Sequence, residues 1–130
     1  MKLDVPQINL LSAWIGILLG FLSGLVMGLC FQREDWLGGY GSLRRRLFRL
    51  GHISFFGLAA TNFFFYLTAQ ALPDGNELVF ASRAFIIGAV SMPICCVLMA
   101  YFRRAQMLFA IPVLSLTAGA LLTLMELVKS

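Results

Sequence analysis

Between Ile8 and Phe31 the chain carries no charged side chain. A hydrocarbon core of about 30 Å is crossed by about 20 helical residues, so this one run is long enough to span it. Three more runs of that length follow, at about 47–71, 79–102 and 107–128. The runs are continuously apolar and lack the period of two that a barrel strand needs. Of 130 residues, 60% are apolar or aromatic and 12% are charged. Soluble domains hold nearer half and a quarter. A disordered chain, a disulfide scaffold and an ordinary soluble enzyme are therefore excluded. The first run exceeds a signal peptide's apolar segment and ends in no small-x-small cleavage pattern, so it reads as a retained span. No lipidation motif is evident.

The connections are short. Residues 32–46 are the longest, 72–78 contain Pro-Asp-Gly, and 103–106 are Arg-Arg-Ala-Gln. Short links make sequential helices antiparallel neighbours. The expected fold is all-α, an integral membrane four-helix up-down bundle, with residues 1–130 forming a single membrane domain. The first and third connections carry Arg33, Arg44, Arg45, Arg46, Arg49, Arg103 and Arg104, against Lys2, Arg83 and Lys129 on the other side. Basic residues collect on the cytoplasmic face. Both termini are thus expected on the outer, periplasmic side of a bacterial cytoplasmic (inner) membrane. The net charge of +4 belongs to this topology and implies no nucleic-acid partner.

Gly16, Gly20, Gly24 and Gly28 recur every fourth residue in the first span, with Ser12 extending the stripe. In lipid, close backbone approach drives helix association, and a stripe of this kind permits it. It fits packing within the chain, opposite the large side chains of span two (Phe55, Phe56, Phe63, Phe64, Phe65 and Tyr66), and it equally fits a self-association or partner face. Before span two, Ser42 has the chemistry of an N-cap. Gly41–Gly51 reads as an interfacial turn that bends into the membrane, with Arg44, Arg45, Arg46 and Arg49 on lipid headgroups and Trp36 and Tyr40 as interfacial anchors.

His52 is the only histidine. Its depth matches Met27, Met99 and Met107, which raises haem b ligation by His52 with Met27 or Met99, or by His52 of two chains, or a quinone contact or proton relay. Methionine is also an ordinary gap filler, and the simpler expectation is a structural histidine and no cofactor. Asn62 lies deep in span two, with Ser91 and Thr117 at similar depth; in lipid such groups need partners, so they are expected to join helices. Arg83 and Glu126 sit at matching depth on adjacent antiparallel spans and are expected to pair or to snorkel. Pro93 and Pro112 are expected to kink spans three and four. Cys30, Cys95 and Cys96 form no metal knuckle or disulfide framework.

No deep carboxylate supports a cation-coupled transporter. No nucleophile–base pair, phosphate loop or metal cluster supports an enzyme. The function expected first is an accessory or assembly subunit of a larger membrane complex, a respiratory or energy-transducing one included, whose partners are lipid and other membrane subunits or copies of itself. A redox protein using His52 comes second and a small transporter or channel third. Phosphatase and fluorescent-protein fusions test the orientation: a reporter near Arg45 should behave as cytoplasmic and one near Gly75 as periplasmic, and the reverse pattern overturns it.

Overall fold

A computed structural model describes residues 4–130, whose regular secondary structure is all helical. Lys2, counted above with the termini, lies outside the described residues. The helices are α1 (Gln7–Phe31), α2 (Leu43–Ala71), α3 (Asn76–Tyr101) and α4 (Ala110–Lys129). All four stretches, the last taken from Arg103, are long and apolar enough to cross a membrane, the make-up of a multi-pass membrane protein. Each helix packs chiefly on its neighbour in sequence, and α1 also touches α3. The α2–α3 pair therefore forms the centre, and α1 and α4 are its flanks.

Small residues sit at every one of these contacts. On α1, a Cβ added at Gly16 would meet Ala59 Cβ at 3.1 Å, one at Gly20 would meet the Phe56 ring at 2.6 Å, and one at Gly24 would meet His52 Cε1 at 2.9 Å. As residue numbers rise on α1, the α2 partners fall, which is the antiparallel register. Three of the four stripe glycines thus pack on α2, and the large-against-glycine expectation holds at Phe56. At Gly28 a Cβ would meet nothing within 4 Å. Gly51 receives Cys96 across the α2–α3 contact. Between α3 and α4 the fit is reciprocal: Leu116 lies against Gly88, and Phe85 against Gly119. Lipid tails give little hydrophobic force between helices, so this close approach supplies the dispersion contact that does.

At the end holding the termini and the α2–α3 turn, Phe65, Ala69, Leu72, Leu78, Ala81 and Phe85 form the apolar core. Beside it, three fully buried polar side chains tie three helices together. Asn9 Nδ2 donates to Asn62 Oδ1 at 2.8 Å, Ser82 Oγ donates to Asn9 Oδ1, and Asn62 Nδ2 donates to Leu58 O at 2.9 Å. Asn62 thus joins helices as expected. Ser91 and Thr117 do not: their hydroxyls bond to their own helices, at Gly88 O and Val113 O. A hydroxyl one turn from a backbone carbonyl is satisfied locally without reaching a neighbour.

Three boundaries differ from the sequence reading. α2 begins at Leu43, so the arginine-rich segment is its first turns and no separate interfacial turn precedes it; Ser42 Oγ accepts from Arg45 N–H at 3.2 Å as the N-cap. The α3–α4 link is a 3₁₀ stretch, Arg103–Phe109, longer than four residues. Pro112 falls in the first turn of α4, where a missing N–H breaks no helical bond. The Leu108 carbonyl, one turn before Pro112, accepts from the Ala110 amide and from the Cys95 thiol, the latter at 3.4 Å. Pro93 stays inside α3, which continues past it.

Gly20→Ala should cost about 1–3 kcal/mol through overpacking against Phe56. Gly28→Ala should be neutral or gain up to about 1 kcal/mol of helix propensity. Reversible unfolding in mixed micelles measures both.

Candidate functional site

The two most unusual polar arrangements lie toward the arginine end, where the α1–α2 and α3–α4 links are. The first is Arg45. Its side chain is wholly buried, while Arg44, Arg46 and Arg49 are exposed as expected of headgroup-facing residues. Arg45 departs from that set. Its Nη2 donates to Phe31 O at 2.9 Å and its Nη1 reaches Arg33 O at 3.5 Å, so it caps the C-terminus of α1. Its guanidinium carbon lies 3.9 Å from the Tyr40 ring centre, 4.6 Å from Phe31 and 5.4 Å from Trp36. Trp36 and Tyr40, read as interfacial anchors, are walls of this cage, and Tyr40 O–H also donates to Phe31 O at 2.9 Å.

The physical logic is one of charge without an acid. Arg45 takes no carboxylate partner; the only ion pair at this end among the described residues is the loose Arg33–Asp35 contact at 4.0 Å. The carbonyl end of α1 carries partial negative charge, and aromatic faces attract cations. Together they offset a buried positive charge that sits unfavourably at the N-terminus of its own helix. Nε has no hydrogen-bond partner. Aromatic rings continue from the cage through Phe31, Trp36, Phe48 and Tyr101, which links the ends of α1, α2 and α3. The loop that closes the cage needs left-handed backbone at Leu37 (φ 55°), Gly38 and Gly39. Leucine adopts that conformation at a cost of roughly 1–2 kcal/mol.

The second arrangement is His52 with Ser23. Ser23 Oγ lies 2.8 Å from His52 Nδ1 and donates to Gly20 O at 3.0 Å. A hydroxyl has one proton. If that proton goes to Gly20 O, Ser23 accepts from Nδ1–H and Nε2 is an acceptor; if it goes to Nδ1, Nε2 carries the ring proton and is a donor. That nitrogen takes no hydrogen bond among the described residues, and Arg45 Nε is their only enclosed unpartnered side-chain nitrogen or oxygen. The half-buried imidazole is held against Gly24 and edge-on to Phe56, whose ring also meets Phe21.

The remaining sequence candidates are dispersed. Met27 is buried on α1, Met99 is half-buried on α3, and Met107 is 83% exposed. Among the described residues no three His, Cys, Asp or Glu side chains gather to hold a metal ion. Glu126 is held by Lys129 Nζ at 2.6 Å, one turn along its own helix, and no Arg83 ion pair lies within 4.0 Å among the described residues. Arg83 is exposed, so of the two expectations it is the snorkelling one that its position suits. The nearer lysine satisfies the carboxylate without spanning two helices.

Sequence reasoning missed Asn9, Ser82 and Ser23. Facing register supplied the signal for Asn9 and Ser23, since each falls opposite a polar α2 residue when α1 and α2 are laid antiparallel.

Arg45→Lys keeps the charge but loses the planar fork and the stacking. It should cost about 1–3 kcal/mol and raise hydrogen exchange across residues 32–41, whereas exposed Arg49→Lys should change neither. Comparison with known proteins returned no matching family model, curated protein or solved structure, so a functional reading rests on this geometry.

Proposed function

We propose that this protein is an accessory or assembly subunit of a larger complex in a bacterial cytoplasmic membrane, with its termini outside and its arginines in the cytosol. It is read as a docking component and not as an enzyme. The observation that carries this is the open Nε2 of His52. His52 lies one turn inside headgroup-facing Arg49, at the edge of the hydrocarbon, where water is scarce and a ring nitrogen gains from a protein partner. As donor or as acceptor, Nε2 calls for a polar group on a neighbouring protein. The flank that would receive such a neighbour is apolar: Trp14, Leu18, Phe21, Leu25 and Leu29 of α1 are each more than half exposed.

The same nitrogen favours a second reading, in which a hydroquinone hydroxyl or a haem iron meets Nε2. A visible spectrum separates them. A Soret band that disappears in His52→Ala would replace the accessory reading with a redox one.

The protein extracted in mild detergent from its native membrane should migrate well above its 14.4 kDa monomer with a discrete membrane partner. His52→Phe should reduce the recovered partner severalfold while leaving the monomer folded. Migration as a lone monomer from native membrane overturns the proposal.

A further inference from the structure

A third feature of the arginine end is used by neither arrangement above. A cavity of about 440 Å³ opens between the residue 37–38 loop, the first turn of α2 and the last turn of α3. Arg44 enters it from α2 and Arg103 from the segment after α3. Arg44 is set in place by the Tyr101 ring, 5.6 Å from its guanidinium carbon. Neither arginine has an ion pair within 4.0 Å among the described residues. Leu37, Met99 and the Tyr101 ring add apolar lining.

The backbone adds to the positive potential. The Ser42 cap accepts from the Arg45 amide through its hydroxyl and from the Arg46 amide through its carbonyl. The amides of Leu43 and Arg44, which border the cavity, are left as the unsatisfied donors of a helix start. Two forked cations from different segments, over an amphipathic wall, match a phosphate that carries a hydrophobic body. A free phosphate would have no use for the leucine and methionine.

We propose that this cavity is a binding site for the phosphate of an anionic phospholipid, with Arg44 and Arg103 as its ligands and Leu37, Met99 and Tyr101 against the glycerol and upper acyl chain. The site lies at the membrane surface if the four helices span the bilayer, and it does not depend on what partner His52 meets. Basic pockets between transmembrane helices recognise headgroups in this way.

The test uses the full chain in nanodiscs of mixed phosphatidylcholine and phosphatidylglycerol, read by native mass spectrometry for retained lipid. The wild type should retain phosphatidylglycerol selectively. The double variant Arg44→Gln/Arg103→Gln should lose that retention by about tenfold or more, as the loss of charge-assisted hydrogen bonds to one bound phosphate implies. Arg33→Gln/Arg104→Gln removes the same charge from exposed residues of the same end that do not line the cavity, and should change retention by less than about twofold. All four side chains are exposed, so the variants should fold; Arg103→Gln alone provides a milder check, with an intermediate loss. Equal loss in both double variants overturns the proposal, because it would mean a diffuse basic field and no site. Retention of phosphatidylcholine and phosphatidylglycerol in their bulk ratio also overturns it. Displacement of the lipid by millimolar inorganic phosphate would assign the site to a soluble anion and overturn the lipid assignment.

Discussion

The close approach of backbones at small residues is the constraint on which the rest of this structure depends. Helices that are apolar on all sides gain little by exchanging lipid for one another, so their association must come from contact area that lipid cannot match. Gly16, Gly20 and Gly24 bring α1 down onto α2, Gly51 admits Cys96, and the Gly88–Leu116 and Gly119–Phe85 pairs lock α3 and α4. The order of packing follows chain order because the links are short. The pair in the middle is covered on both sides, and the flanks keep long apolar faces.

Polar groups are placed by the same constraint read in reverse. Without water, each must find a partner within the fold. Asn9, Asn62 and Ser82 do so completely, across three helices. Most other hydroxyls do so within their own turn. Arg45 does so by using the carbonyl end of α1 and three aromatic faces in place of an acid. Against this background an imidazole with one nitrogen engaged and the other open stands out, and it is what ties the proposed function to a neighbouring molecule.

The arginine end combines two roles that the same residue type can serve because its surroundings differ. Arg45, one position past Arg44, turns inward and closes the α1–α2 loop. Arg44 stays exposed and, with Arg103, lines a cavity that also has apolar lining. A guanidinium desolvated among rings acts as a structural clamp; one at the rim keeps its donors free for an anion.

The sequence by itself determined the number, length and helical character of the four apolar segments, since hydrocarbon thickness and unbroken apolar runs leave no other solution. It also identified the glycine stripe, the Ser42 cap and Asn62 as a residue needing a partner. Only the tertiary structure decided which face of each helix meets which neighbour. Neighbouring residues on a helix point about 100° apart, and a continuously apolar span offers no polar stripe to say which direction is inward. That is why Arg44 and Arg45 could not be told apart, why Asn62 found Asn9 rather than Ser91, and why Glu126 chose a lysine on its own helix over Arg83 on the next.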